Sequence, residues 1–185
     1  MPDQPTLTTP RLVLRSLALS DAPRVEELVS DADVASTTAN IPHPYQAGGA
    51  RTYIENHLAG SSATGEIVWA ITERTAGLIG AIGLRHEASQ MKAELGYWIG
   101  KPWWRQGYAT EAGRAAIEYG FLGLGLNRIF AHHMVRNPAS GRVLEKLGMR
   151  HEGSLRQHLR RDGRFEDLEL YGILRSEFAR EVPVP

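Results

Sequence analysis

The sequence predicts an α+β fold, a mixed and mostly antiparallel central sheet of about seven strands flanked by helices. Three observations predict it. Strand-like and helical segments follow one another as strand, two helices, three strands, helix, strand, helix, two strands, which is not an alternation of βαβ units. The three consecutive strand segments are separated only by glycines and polar residues, the mark of an antiparallel meander. No internal repeat, low-complexity stretch or linker divides the 185 residues, so residues 1–185 read as one domain.

The first strand is expected at Arg11 to Leu17, where Leu12, Val13, Leu14 and Leu17 follow a loose tail. Ser20 suits the cap of a helix beginning at Asp21, with Pro23 in its first turn and Val25, Leu28 and Val29 on one face. Ile41 to Gly49 holds two prolines and two glycines and reads as a loop; Ala50 to Leu58 reads as a second helix. Strands follow at Glu66 to Thr72, Gly77 to Arg85 and Met91 to Ile99. In the last of these Ala93, Leu95, Tyr97 and Ile99 alternate with Glu94, Gly96 and Trp98.

Beyond Lys101-Pro102 the period becomes helical, with Tyr108, Ala112, Ala115, Ala116 and Tyr119 recurring until Gly123 and Gly125. Asn127 to Val135 is strand-like again. Asn137-Pro138 then opens a helix with a good cap and proline at its first position; Val143, Leu144 and Leu147 form its buried face, and Gly148 a left-handed stop. His151 to Leu174 reads as two strands joined by a turn at Asp162-Gly163, and a short helix follows from Ser176.

Composition narrows the function classes. Lys plus Arg and Asp plus Glu both number 21, so no global field favours nucleic acid or an anionic membrane, and neither is expected as a partner. Without cysteine there is no disulfide, thiolate metal site or thiol nucleophile. Met1 to Thr9 lacks the apolar core of a signal peptide and no run is long enough to span a bilayer, so the chain reads as cytoplasmic. The histidines show no HExxH spacing, and His132 and His133, adjacent in a strand, point apart; no metal is expected. A nucleotide-dependent α/β enzyme is disfavoured by the missing P-loop and by the strand order.

The chemistry-bearing stretch is Glu94 to Ala112: a strand, a Trp-rich turn, then Arg105, Gln106, Gly107, Tyr108, Ala109 and Thr110 leading into a helix. Backbone N–H groups at such a junction converge on one concave place, and the helix dipole favours an anion there, so the loop suits a phosphate. Gly107 admits close approach, Ala109 obstructs little, and Arg105 adds charge toward a diphosphate. Gly107 alone would equally fit an ordinary helix start.

The segment E-L-G-Y-W-I-G-K-P-W-W-R-Q-G-Y-A-T-E-A resembles motif A of the GNAT N-acetyltransferase superfamily, and N-P-A-S-G-R-V-L-E-K-L-G-M resembles its next motif. The second form, the opening T-P-R-L-V-L-R and the closing D-G-R-F-E-D-L-E-L-Y-G-I-L are similar to the branch of Rim-type ribosomal-protein N-terminal (alanine) acetyltransferases. The resemblance runs from about Thr8 to Leu174. It implies acetyl-CoA as co-substrate, an amine as acceptor, and direct attack without a covalent enzyme intermediate. It further implies a bulge that parts the strands at Met91 to Ile99 and Asn127 to Val135, with the thioester in the cleft. The backbone of Tyr97, Trp98 and Ile99 would pair with the pantetheine arm, an N–H near Ile99 would bind the thioester oxygen, Arg105 to Thr110 the pyrophosphate, and Asn137 would lie beside the pantetheine. Trp104 departs from the pattern, which has Gln or Arg there. Leu144 departs too, since many members carry at that place a Tyr that protonates the leaving thiolate.

Ser140 is the candidate proton donor, in the first turn of the helix capped by Asn137, where the dipole helps a hydroxyl face a thiolate; simple capping or packing is its alternative role. His132 is the candidate base and Glu94 its competitor; for each, an ordinary packing or cross-strand role is the alternative. The acceptor reads either as a protein N-terminus, as the branch implies, or as a small amine or antibiotic, approached through His43 to Gln46 and the Arg160 to Glu166 hairpin. The run Glu166-Asp167-Glu169 is either a solvated face or an attractor of a cationic acceptor. The rival from another class is a CoA-binding sensor without turnover. A homodimer is common among such enzymes, and nothing in the sequence requires one.

Overall fold

The computed structural model describes residues 4–59 and 65–181. Its elements are β1 (Leu7–Thr8), β2 (Leu12–Ser16), α1 (Ala22–Val29), α2 (Ala32–Ser36), α3 (Gly49–Leu58), β3 (Glu66–Glu73), β4 (Gly77–Glu87), β5 (Lys92–Ile99), α4 (Tyr108–Leu122), β6 (Arg128–Met134), α5 (Pro138–Lys146), β7 (Arg150–Arg161), β8 (Arg164–Leu174) and α6 (Arg175–Glu181). The strands form one sheet in the order β1-β2-β3-β4-β5-β6-β8-β7. Neighbours run antiparallel except β5 and β6, which are parallel. The mixed α+β class is as expected, with eight strands where about seven were expected.

The eighth is β1, in the stretch read as a loose tail. A turn closed by the Thr9 N–H on the Leu12 carbonyl (2.9 Å) folds Leu7–Thr8 back onto Val13–Leu14. The buried Trp69 indole donates to the Pro5 carbonyl at 2.8 Å and ties the tail down. Ser20 is not the cap of α1. Leu19–Asp21 makes a 3₁₀ turn, so Asp21 takes the cap position, and its carboxylate accepts the Ala18 N–H (2.8 Å) and pairs with Arg15. Helix α2 was not foreseen. It has only five residues, too few to show a period, and is started by Asp31 accepting the N–H groups of Asp33 and Val34.

Two cores cover the two faces of the sheet. On one face α4, α5 and the buried Ile82, Leu84, Phe121 and Ile129 pack together. On the other α1 and α3 cover Val68, Ala70 and Ala81 through Val25, Leu28 and Ile54. Burying each large aliphatic side chain contributes roughly 1.5–3 kcal/mol. Helix α4 lies close to the sheet because Gly120 carries no Cβ, which would sit 2.7 Å from the Ile129 side chain. Asp162 (φ 49°) and Gly163 (φ 78°) make the expected two-residue turn between β7 and β8, and Gly148 (φ 77°) stops α5. Among the described residues no helix is long and apolar enough to cross a membrane.

Candidate active site

The site begins where the sheet parts. Strands β5 and β6 pair only from Lys92–Glu94 to Arg128–Phe130, after which β6 continues against β8 and β5 against β4. The expected bulge is absent from β5 as it pairs with β4: their register runs unbroken from Glu87/Lys92 to Gly80/Ile99. Twist alone suffices to open a short parallel contact held at one end. The Gly100 N–H donates to the Ile79 carbonyl at 2.8 Å. By the alternation of an antiparallel ladder, Trp98 then spends its backbone groups on β4, while Tyr97 and Ile99 turn theirs to the open side. The Ile99 carbonyl accepts the Trp104 indole N–H at 2.6 Å, which leaves the Ile99 N–H as the donor facing the cleft. Trp104 thus braces the strand end from the place where the motif has Gln or Arg.

One part of the cleft, a cavity of about 540 Å³, lies between the end of β5 and the starts of α4 and α5, with Ile99, Arg105, Gly107, Thr110 and Asn137 in its walls. Gly107 holds φ 83° as the cap of α4, a conformation a side chain would strain, and Arg105 also has positive φ at 61°. The first helical N–H with an internal partner is that of Glu111, on the Gly107 carbonyl at 3.0 Å, so those of Tyr108, Ala109 and Thr110 point toward the cavity end of the helix. Gln106 differs from its neighbours. It is exposed, its amide donates to the Pro102 carbonyl at 2.8 Å, and its side chain lies outside the cavity wall.

The loop is held from behind by the opening motif. Arg11 donates to the Gln106 carbonyl (3.0 Å), stacks over the Tyr108 ring (4.3 Å) and pairs with Glu111 (2.6 Å). Glu111 also accepts the Thr9 hydroxyl (2.6 Å) and the Arg11 N–H (2.9 Å). Burial pushes its carboxyl up, but these hydrogen bonds and the guanidinium outweigh it and hold the group below the usual range. Sequence reasoning missed this brace, although T-P-R and T-E-A were both in view.

The second part, about 780 Å³, continues from the first; Thr37, Tyr97, Trp98 and Ser140 border both. At this junction the Tyr97 hydroxyl lies 2.8 Å from Ser140 Oγ. Burial pushes the Tyr97 phenol up to about 12, so it is a proton-bearing group at neutral pH. Only the backbone of Tyr97 had been expected to serve. Asn137 caps α5 by accepting the Ser140 N–H (3.3 Å) and donates to the Thr37 carbonyl (3.2 Å), so its amide anchors α5 to the end of α2. Leu144 is fully buried and faces the core.

Across the second cavity, the two candidates for the base meet. His132 Nδ1 lies 3.1 Å from Glu94 Oε1, and Arg85 binds the other carboxylate oxygen. An ionised carboxylate only accepts, so Nδ1 carries a proton, and in the neutral ring Nε2 is the nitrogen with the lone pair. Burial raises the Glu94 carboxyl, but the His132 hydrogen bond and Arg85 hold it below the usual range, which makes it an orienting anion and a poor base. His133 is buried, its Nδ1 hydrogen-bonds the Met134 carbonyl at 2.9 Å, and its ring presses under Gly141.

Of the loops expected at the acceptor end, Tyr45 and Gln46 line the cavity, while the β7–β8 hairpin contributes His158 and Leu159 rather than its tip. The tip acts as a clasp, the buried Arg161 donating to the Ile41 carbonyl at 2.7 Å. His158 is turned inward by the irregularity between Leu155 and Leu159, where Gln157 has φ 52° and donates its N–H to Asp167 at 2.7 Å. The acidic run is engaged elsewhere: Glu166 pairs with Arg136, Asp167 holds that bulge, and Glu169 binds His151 and Ser154.

Comparison with known proteins bears on the family and the fold. Residues 11–150 match the family model described as an acetyltransferase (GNAT) domain. The chain is 35% identical to the uncharacterized N-acetyltransferase YoaA of Bacillus subtilis over 173 residues, covering 92% of this chain and 97% of the relative. It is 40% identical to the Escherichia coli [ribosomal protein uS5]-alanine N-acetyltransferase over 73 residues, 40% of this chain and 38% of that protein. The crystal structure of a GNAT-family acetyltransferase from Bacillus anthracis superposes with a TM-score of 0.82 at 26% identity, covering 93% of this chain and 99% of that one.

Proposed function

The chain belongs to the acetyltransferase (GNAT) family, and from that premise we propose its acceptor and the role of each residue in the cleft. It is an acetyl-CoA-dependent N-acetyltransferase. The acceptor is the α-amino group of a protein N-terminus. The observation that carries the transfer mechanism is the pairing of His132 with Glu94 at 3.1 Å, in the same cavity wall as the Ser140–Tyr97 pair. Similarity over part of the chain to the ribosomal-protein alanine acetyltransferase supports the choice of acceptor.

The pyrophosphate sits against the N–H groups at the start of α4, between Arg105 and Thr110, where the helix dipole favours it. The pantetheine arm lies along the open edge of β5, pairing with the backbone of Tyr97 and Ile99 on either side of Trp98. Asn137 shapes the cleft mouth through α5. The ammonium of the acceptor loses a proton to Nε2 of His132, whose ring Glu94 orients and whose positive charge Glu94 then balances. The amine nitrogen attacks the thioester carbonyl, and the Ile99 N–H stabilises the oxyanion that forms. As the intermediate collapses, the C–S bond breaks, the nitrogen gives up its second proton to water, and the thiolate takes a proton from Ser140 Oγ. The Tyr97 hydroxyl, 2.8 Å behind, replaces that proton and is itself reprotonated from water.

The test is thiol release from acetyl-CoA with peptides of varied N-terminal residue beside a panel of small amines. Peptide acetylation at the α-amine, with stoichiometric release of CoA, is the expected result. Release with small amines and none with any peptide would remove the N-terminal acceptor. Binding of CoA with no release from any acceptor would favour a sensor.

A further inference from the structure

The acceptor cavity has a floor with no side chains and a charged far end, and the mechanism above uses neither. Gly83 and Gly96 face one another directly across β4 and β5, and both line the cavity. Gly96 does not have positive φ, and a Cβ built on it would meet nothing within 4 Å. Neither backbone geometry nor packing therefore requires glycine there; what its absence of a side chain leaves is room. Beyond Gly83 stands Glu66, whose Oε1 lies 3.4 Å from where a Gly83 Cβ would be. Glu66 is opposite Arg85 in the register, but the Arg85 guanidinium is turned to Glu94 on the other side.

Two phenols accompany Glu66 in the cavity wall, Tyr53 from α3 and Tyr45 from the loop before it. The Tyr53 phenol is a neutral donor at ordinary pH and, with the residue 45% exposed, offers an aromatic surface in the same cavity wall as that carboxylate. A carboxylate flanked by aromatic rings at the end of a glycine-floored trough is a receptor for a cation. Glu66 and Glu94 share one row of the sheet two strands apart, a span of about 10 Å.

We infer that the acceptor carries a second positive charge, bound about 10 Å from the Glu94 end of the cleft by Glu66, Tyr53 and Tyr45 across the Gly83–Gly96 floor. For a protein N-terminus this is a basic side chain at the second or third residue, since an extended chain advances at most about 3.3–3.6 Å per residue. The inference rests on the N-terminal acceptor proposed above.

The experiment compares Ala-Arg-Ala amide with Ala-citrulline-Ala amide, its neutral counterpart of the same shape, as acceptors for the full chain. The arginine peptide is expected to show a KM about tenfold lower. Glu66→Gln is expected to bring the ratio of the two KM values to about one. Gly96→Val, whose side chain projects into the trough, is expected to raise KM for the arginine peptide while leaving the affinity for acetyl-CoA in place. Equal KM values in the unaltered enzyme, or a preference that survives Glu66→Gln, would overturn the inference and leave the N-terminal acceptor standing. Turnover of small amines with neither peptide acetylated would remove the N-terminal acceptor, and the inference with it.

Discussion

Side chains alternate along β6, so His132 meets Glu94 while its neighbour His133 is pressed beneath Gly141. Replacing His132 with alanine is expected to lower kcat by about 10²–10³, the range of a lost general base, with part of the rate returned by added imidazole. The same change at His133 should instead cost stability, read as a lower melting temperature, because it opens a void under α5. If His132→Ala keeps its rate, the base lies elsewhere. Ser140→Ala and Tyr97→Phe should each slow transfer about tenfold, and the double variant should be little slower than either, since the proposed proton path runs through both hydroxyls. Fully multiplicative losses would mean that the two groups act separately. Period-2 patterning could place Glu94 and His132 on strands, but not set them against each other. That contact depends on the parallel register Glu94↔Phe130, which is tertiary information.

Among the elements, those with long periodic patterns were legible before any coordinates: α4 from its apolar stripe, the meander β3–β5 from its glycine-bounded runs, and the last hairpin from Asp162-Gly163. The start of α5 was legible from Asn137-Pro138, because capping chemistry is local. What stayed hidden was short or borrowed its stability from elsewhere. The β1 strand has two residues and leans on Trp69; α2 has five and is stapled through Thr37 and Ser36 to Asn137 and Arg136. The Glu111 brace belongs to this class, joining positions a hundred residues apart. Because its carboxyl pKa is depressed in the folded protein, its contribution is present above the ordinary glutamate value of about 4.3 and is lost as the pH falls through the lower folded value. The urea midpoint of the unaltered protein should therefore fall more steeply than that of Glu111→Gln on acidification below about pH 4.3. Parallel curves would show that the brace adds no stability. Glu111→Gln should also weaken CoA binding at neutral pH, because Arg11 then holds the Gln106 carbonyl less firmly.

At the scale of the whole molecule, the sheet is continuous from β1 to β7 yet parted at one place, and each group assigned to the chemistry borders that parting. Leu144 shows the fold limiting the chemistry. It is wholly buried, so a tyrosine there would overpack the core by about 1–3 kcal/mol instead of reaching a thiolate. In the proposed mechanism the hydroxyl for the leaving group comes from the cleft wall, where Ser140 and Tyr97 stand. The most direct test of the central claim is amide hydrogen exchange with and without CoA. Bound CoA should protect the amides of Ile99 and of Tyr108 to Thr110, while those of Ile71 and Ile82 inside the sheet stay unchanged. Protection confined to other segments, or none at saturating CoA, would contradict the claim that the parted strands and the start of α4 form the cofactor site.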